Sequence, residues 1–249
     1  MLIINLKKNE KIKTFREENT LHYILYNDDN IVSHAISKFP FYHLIYADMI
    51  YENADLFWID KYWRSLIEGG IFIIQTDWHT NWMVRSKMEP LKDSFFVNHL
   101  VWKNEWGNHP KDRFHQCYDD IIIFSKGKGH KFYSDRIQID KATKNKGLNP
   151  SGRETKTATA WIDDICLTTT SKERIKKSDG HLIQWQKPVK LFDRIVAPFT
   201  DEEDVVLDLF MGSGSLGEWC ILNNRNYVGI ENDKEVFDLA KQRLDNLYD

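Results

Sequence analysis

An apolar run near the C-terminal end, Val205-Val206-Leu207-Asp208-Leu209-Phe210, leads directly into Met211-Gly212-Ser213-Gly214-Ser215 and then into helical spacing. A strand that is apolar on both faces must be covered on both, and a glycine turn that returns the chain as a helix supplies one cover. The unit recurs upstream and downstream. Tyr227-Val228-Gly229-Ile230-Glu231 reads as a second buried strand, followed by a terminal helix from Lys234. His43-Leu44-Ile45-Tyr46-Ala47 reads as another, ending at Asp48. Leu56, Ile59, Trp63, Leu66 and Ile67 then recur at helical spacing, with Asn53 as the cap and Gly69-Gly70 as the stop. Ile71-Phe72-Ile73-Ile74-Gln75 is a strand. A helix near 79–88, strands near Phe95–Lys103 and Asp120–Ser125, and a helix after Pro188 complete the series. The first 40 residues are weakly patterned. Alternating strands and helices predict an α/β fold with a doubly wound, mostly parallel sheet.

Hydrophobic residues make up 42% and charged residues 29% of the 249 residues, which predicts one soluble globular domain with room for an insertion. No apolar run approaches the ~18 residues needed to span a bilayer, and Met1 is followed by no charged-then-apolar leader. Membrane and secreted classes are thereby set aside, and a cytoplasmic protein is expected. Cys117, Cys166 and Cys220 fit neither a zinc knuckle nor a disulfide framework, so buried reduced thiols are expected and no metal site is. Net charge is −3, yet Lys126 to Lys177 holds 13 Lys and Arg against 6 Asp and Glu. This stretch also loses the apolar periodicity. A basic segment on an acidic body reads either as a polyanion-facing insertion or as a solvated lysine-rich loop. It divides the chain into 1–125, 126–180 and 181–249, the first and last being parts of one domain. Trp102 and Trp106, beside basic residues, are candidates for nucleic-acid contact.

The glycine turn narrows the ligand. No Gly-Lys-Ser or Gly-Lys-Thr follows it, so it is not a phosphate-binding P-loop. The strand before it carries Asp208, whose charge would repel a pyrophosphate and suits an amino group or a cation. Glu231 closes the next strand 23 residues later, the spacing of a carboxylate that holds ribose hydroxyls. Asp208, the glycines and Glu231 together fit a nucleoside with a charged amino-acid tail, S-adenosyl-L-methionine.

With these residues in place, the chain from about Tyr23 onward resembles the DNA amino-methyltransferases of adenine N6 or cytosine N4, in their permuted (beta) group, where the catalytic half precedes the cofactor half. Asp208-x-Phe210-x-Gly212-Ser213-Gly214-Ser215 stands at the family's cofactor loop and Gln186-Lys187-Pro188 at a segment before it. Trp161-Ile162-Asp163-Asp164-Ile165 and Ser171-Lys172-Glu173-Arg174 match further family segments. Tyr26-Asn27-Asp28-Asp29-Asn30 stands where the family has a Gly-Asp that reaches the cofactor's adenine, and Tyr46-Ala47-Asp48-Met49-Ile50-Tyr51 at its Asp-Pro-Pro-Tyr catalytic loop. The resemblance implies a Rossmann-like S-adenosylmethionine-dependent methyltransferase fold. It implies methyl transfer to an exocyclic amine of a flipped base in double-stranded DNA, adenine N6 favoured over cytosine N4, in a restriction-modification setting. The catalytic residues implied are Asp48, Met49 (through its carbonyl) and Tyr51. The cofactor residues are Asp29, Asp208, Phe210, Gly212, Ser213, Gly214, Glu231 and Lys187, the last at the cofactor's carboxylate. Residues 126–180 fall at the target-recognition region, and a homodimer or a heteromeric methyltransferase or restriction partner is the assembly to look for.

One departure bears on the chemistry. The family's two prolines are Met49 and Ile50 here, so the φ restraint that fixes the loop is gone. An active enzyme and a catalytically impaired, methyltransferase-like DNA-binding subunit acting with an active partner are the two readings this leaves. A nucleotide- or small-molecule-binding protein with a solvated basic loop is a third.

Overall fold

The glycine turn and its two acid-tipped strands lie in the middle of a nine-stranded sheet in the structure, a computed structural model that describes residues 2–4, 22–26, 41–49, 56–104, 110–142, 144, 152–167 and 173–248. The strands are β1 (Leu2–Ile4), β2 (His22–Tyr26), β3 (Tyr42–Asp48), β4 (Leu66–Thr76), β5 (Ser94–Lys103), β6 (Tyr118–Lys126), then β7 (Gln138–Asp140) and β8 (Thr155–Thr157), which form a separate antiparallel pair, and β9 (Trp161–Ile162), β10 (Val205–Asp208) and β11 (Asn226–Glu231). Their order in the large sheet is β1-β2-β11-β10-β3-β4-β6-β5-β9. From β1 to β4 every neighbouring pair is parallel, and β6 then runs antiparallel to both β4 and β5. The expected doubly wound, mostly parallel sheet is the one observed, with a Rossmann-like arrangement of strands and helices.

Alternation along each strand sends successive side chains to opposite faces. Leu44, Tyr46, Ile71, Ile73 and Val206 pack on one face against α3 (Lys190–Ile195), α4 (Ser215–Leu222) and α5 (Lys234–Asp245). Ile45, Ala47, Phe72, Ile74 and Leu207 pack on the other against α1 (Phe57–Ser65) and α2 (Asn81–Met88). Asp233 caps α5, accepting hydrogen bonds from the amides of Glu235 and Val236. Among the described residues, no helix is long and apolar enough to cross a membrane.

Chain order places the site. From β3 the chain leaves through α1 to β4 on one side, and from β10 through α4 to β11 on the other. The direction of winding reverses between β10 and β3, which opens a crevice at their carboxyl ends. Asp208 and Asp48 are the residues that end these two strands.

Several sequence expectations are corrected here. Leu66, Ile67 and Gly69-Gly70 belong to β4, and α1 stops at Ser65. Tyr42 pairs with Leu66 but Leu44 with Ile71, so the glycines serve a bulge in the ladder, with Gly69 at φ +74°. Asn53 lies outside the described residues. Trp102 is fully buried and donates its indole N–H to the Ile165 carbonyl at 2.8 Å, which removes it as a nucleic-acid contact; Trp106 lies outside the described residues. Cys166 is exposed, while Cys220 is buried as expected. The basic segment is bound into the body: β9 pairs with β5, and Ile162 and Ile165 are in the core. Some of its charge is used in doing so. Lys131 meets Asp201 at 2.9 Å and Asp204 at 3.0 Å, Arg136 meets Asp201 at 2.9 Å, and Lys177 meets Asp233 at 3.2 Å.

Gly229, at the centre of β11, admits no side chain: a Cβ there would lie 2.5 Å from the Tyr227 hydroxyl and 2.7 Å from Met211 Sδ. Gly229→Ala is expected to lower stability by about 1–3 kcal/mol through overpacking, measured by urea unfolding. An unchanged midpoint would contradict the packing described.

Candidate active site

At the crevice the strands deliver carboxylates and the turn delivers backbone. Gly212 and Gly214 have φ +52° and +75°, left-handed values that side-chain-bearing residues seldom adopt, and between them the chain reverses into α4. The turn is pinned from β11: Met211 donates its N–H to the Ile230 carbonyl, and Gly212 donates to Glu231 Oε2, each at 2.8 Å. Glu231 Oε1 accepts the amides of Asn232 and Asp233, so this carboxylate is oriented by three backbone donors. Ser213 and Ser215 share a hydrogen bond at 3.1 Å, and Arg243 reaches Ser215 Oγ at 3.0 Å.

A cavity of about 370 Å³ opens beside this turn. Asp48, Met49, Lys187, Asp208, Phe210, Gly212, Ser213 and Glu231 all stand on its wall, so most of the residues singled out in the sequence converge on one place. Gly214 does not line it: as the N-cap of α4 it packs on Ala240 and Leu244 of α5, 3.3 Å from Ala240 Cβ by its own would-be Cβ, and its role is to let the helix approach. Asp29 and Tyr51 lie outside the described residues. A second cavity, of about 440 Å³, adjoins the first across Gln184, Trp185 and Lys187, with Trp102, Asn104, Asp119 and Arg174 on its walls. Trp185, at that shared wall, is 55% exposed and sits at φ +54°. A non-glycine residue held in that region is a strained one, and such strain collects at functional sites.

The electrostatics of the first cavity are set by burial. Asp208 is almost wholly removed from water, which pushes its carboxyl up to about 8; the Tyr227 hydroxyl, donating to Oδ2 at 3.1 Å, pulls the other way, while the charges of Asp48 and Glu231 add to the rise. Burial also raises Asp48, to about 6, against the opposing pull of Lys187 and with a further push from Asp119. Oδ1 of Asp48 and Oδ1 of Asp208 are both buried without a hydrogen-bond partner among the described residues. Two buried carboxyl oxygens without partners facing one cavity are what a ligand with N–H or cationic groups would satisfy, a cationic group doing so at Asp208 by displacing its proton.

Lys187, expected at the cofactor's carboxylate, is buried and already partnered: its Nζ lies 2.5 Å from Asp48 Oδ2, 3.2 Å from the Trp185 carbonyl and 3.8 Å from Asp119 Oδ2. Sequence reading missed the side chains around it. Gln75 donates to Asp119 Oδ2 at 2.7 Å, Asn104 donates to Asp119 Oδ1 at 2.8 Å, and Tyr46 donates to Gln75 Oε1 at 2.7 Å. A signal existed. Gln75 ends the run Ile71–Ile74, and Asp119 precedes Ile121-Ile122-Ile123, so both are polar residues at the ends of buried strands.

The DNA methylase family matches this chain over residues 46–242. Among relatives, the chain is 28% identical over 197 residues to the type II methyltransferase M.HinfI of Haemophilus influenzae, an alignment covering 78% of this chain and 51% of that protein. It is also 28% identical, over 196 residues, to the type II methyltransferase M.HpaI of Haemophilus parainfluenzae, covering 76% of this chain and 58% of that one. The chain thus spans little more than half the length of these relatives. In fold it is similar to M1.HpyAVI (TM-score 0.66, 21% identity, 89% of this chain and 97% of that one). It is similar too to the cytosine-N4-specific PvuII DNA methyltransferase (TM-score 0.66, 14% identity, 92% of each).

The raised Asp208 acid has a consequence for stability. Between its ordinary value of 3.8 and about 8, the unfolded chain carries the charge while the folded protein holds the proton. Folded stability therefore falls as pH rises through that window, by at most about 1.4 kcal/mol per pH unit. Asp208→Asn removes this slope, so its stability relative to the parent is expected to grow steadily with pH across the window in urea titrations. Parallel curves would show that Asp208 is ionised in the free protein.

Proposed function

We propose, from the premise that this chain belongs to the family of DNA amino-methyltransferases acting at adenine N6 or cytosine N4, that it transfers a methyl group from S-adenosyl-L-methionine to an exocyclic amine of double-stranded DNA, with adenine N6 the favoured target. The observation that carries the proposal is the convergence of Asp48 and Asp208, each with a buried oxygen that has no hydrogen-bond partner among the described residues, on one cavity at the switch point of the sheet. The residues present fit the cofactor. Asp208 offers an oxygen without a partner among the described residues to a cationic or amino group, Glu231 is fixed on the cavity wall by three backbone amides with acceptor capacity left on Oε2 for a hydroxyl, and Gly212 keeps the turn open for close backbone approach. Bound there, the cofactor would supply an electrophilic methyl group on a sulfonium centre.

An exocyclic amine on adenine or cytosine is a poor nucleophile, because its lone pair is delocalised into the ring. Asp48, ionised, accepts an amine hydrogen through Oδ1, and the Met49 carbonyl accepts the other. With both hydrogens held, the nitrogen's lone pair is turned out of conjugation and toward the methyl donor. A base inside a duplex cannot reach this crevice, so the target is extruded, with Tyr51 as its stacking face and the 126–180 segment gripping phosphates. The exposed Lys156 and Lys176 in that segment are the side chains suited to the phosphates. M.HinfI and M.HpaI are type II methyltransferases, which supports a role in restriction-modification, either alone, as a homodimer or with a heteromeric partner.

Met49 and Ile50 favour one second reading, a methyltransferase-like subunit that binds cofactor and DNA without turnover. A labelled-methyl assay on mixed-sequence duplex separates the two. Incorporation by the parent protein, reduced at least ~100-fold in Asp48→Ala, supports the enzyme; cofactor binding with no incorporation on any DNA supports the subunit. Sequencing of methylated bases in co-expressed DNA then reports adenine or cytosine and the context.

Two further outcomes follow. The transfer rate is expected to fall as pH drops through about 6, where Asp48 gains a proton and ceases to accept; a flat acid limb would speak against Asp48 as the acceptor. Cofactor binding below pH 8 is expected to release a proton from Asp208, read by calorimetry in buffers of differing ionisation enthalpy; no buffer dependence would contradict the Asp208 contact.

A further inference from the structure

Asp48 ends β3 with its two oxygens in different circumstances. Oδ2 meets Lys187 Nζ at 2.5 Å, while Oδ1 is buried on the cavity wall with no partner among the described residues. Lys187 comes from 139 positions away in the chain and is only 6% exposed. An ammonium that far from water is unfavourable unless it is paired and hydrogen-bonded. Its place is set by Asp48, by the Trp185 carbonyl and by the Asp119 carboxylate, which Gln75 and Asn104 hold in turn. Gln75 has a second duty. Its backbone carbonyl accepts the Met49 N–H at 3.1 Å, extending the β3–β4 ladder one residue past Asp48. A proline at that position has no N–H to donate.

We infer that Lys187 is the positioning residue of the methyl-transfer site: it grips Asp48 Oδ2, turns Oδ1 toward the target amine, and with the Met49–Gln75 hydrogen bond stiffens a loop that lacks proline. The inference rests on the reading of the site given above. Proline fixes such a loop through its own φ and through the residue before it. Here the same restraint comes from outside the loop, one tie to the backbone of β4 and one to a buried cation. Where a displacement of ~1 Å can cost on the order of 100-fold in rate, ties of this kind decide whether the loop works.

The clamp also governs the charge on Asp48. The groups facing that carboxyl are Lys187 from the segment before α3, Asp119 from β6 and Asp208 from β10. Burial and Asp119 push it up, and Lys187 opposes them. Without the ammonium, what remains pushes in one direction only, so the acid moves above about 6 and toward neutrality. A protonated carboxyl presents a hydrogen where the amine needs an acceptor.

Lys187→Met and Lys187→Arg are to be compared with the parent protein in single-turnover methyl transfer from about pH 5 to about pH 9, with the Asp48 carboxyl followed by ¹³C NMR and cofactor affinity by calorimetry on the same samples. In Lys187→Met the acid limb of the rate and the Asp48 titration are both expected to rise by about one pH unit or more, with a roughly tenfold loss at neutral pH that recovers at alkaline pH. Lys187→Arg is expected to restore the position of the limb, and cofactor affinity is expected to stay within about twofold in both variants. A uniform loss at every pH overturns the inference, as does an unmoved Asp48 titration. Lost cofactor affinity with an unmoved limb overturns it as well, and assigns Lys187 to a ligand carboxylate. A parent protein that methylates no DNA, while its Asp48 titration moves with Lys187→Met, sinks the methyltransferase reading and upholds the clamp.

Discussion

Two carboxyl groups at the ends of adjacent strands, Asp208 buried and Asp48 largely so, set the conditions for everything around them. An isolated buried carboxylate is costly, and proteins meet the cost by protonating it or by bringing a counter-charge. This site does both. Asp208 is pushed far enough up to hold a proton and leans on the Tyr227 hydroxyl, whereas Asp48 has Lys187 against it. The difference leaves two acids on neighbouring strands in unlike states, one holding a proton and one paired with a cation. Tyr227 and Gly229 of β11 are part of the same arrangement, since only the missing side chain at 229 leaves room for the hydroxyl.

The strands were readable because their signal is local. Continuous apolar runs bounded by turn residues gave β3, β6, β10 and β11 within a residue or two, and the spacing from Asp208 to Glu231 pointed to two residues that stand on the wall of one cavity. The boundary between α1 and β4 was not readable, because Leu66 and Ile67 suit a helix or a strand equally well and the choice is made by pairing with Tyr42 across the sheet. Lys187 shows a different limit. Its place in the Gln186-Lys187-Pro188 segment was visible, but its partner lies across the fold, and nothing in the neighbourhood of either residue announces the pair. Gln75, Asp119 and Asn104 share that limit: each is an ordinary polar residue until the sheet brings them together.

Charge counting misled in an instructive way. The excess of Lys and Arg between 126 and 177 is real, yet Lys131, Arg136 and Lys177 spend theirs on Asp201, Asp204 and Asp233 of the body. The segment is attached partly by the electrostatics that made it conspicuous, and by Ile162 and Ile165 inserted beside Trp102. Among the described residues of the segment, exposed positive charge outside those pairs is carried by side chains such as Lys156 on the β7–β8 pair.

The wall of Gln184, Trp185 and Lys187 belongs to both cavities at once. A substitution at any one of the three therefore alters two chambers at once, and whatever occupies one chamber shares a single layer of side chains with the other.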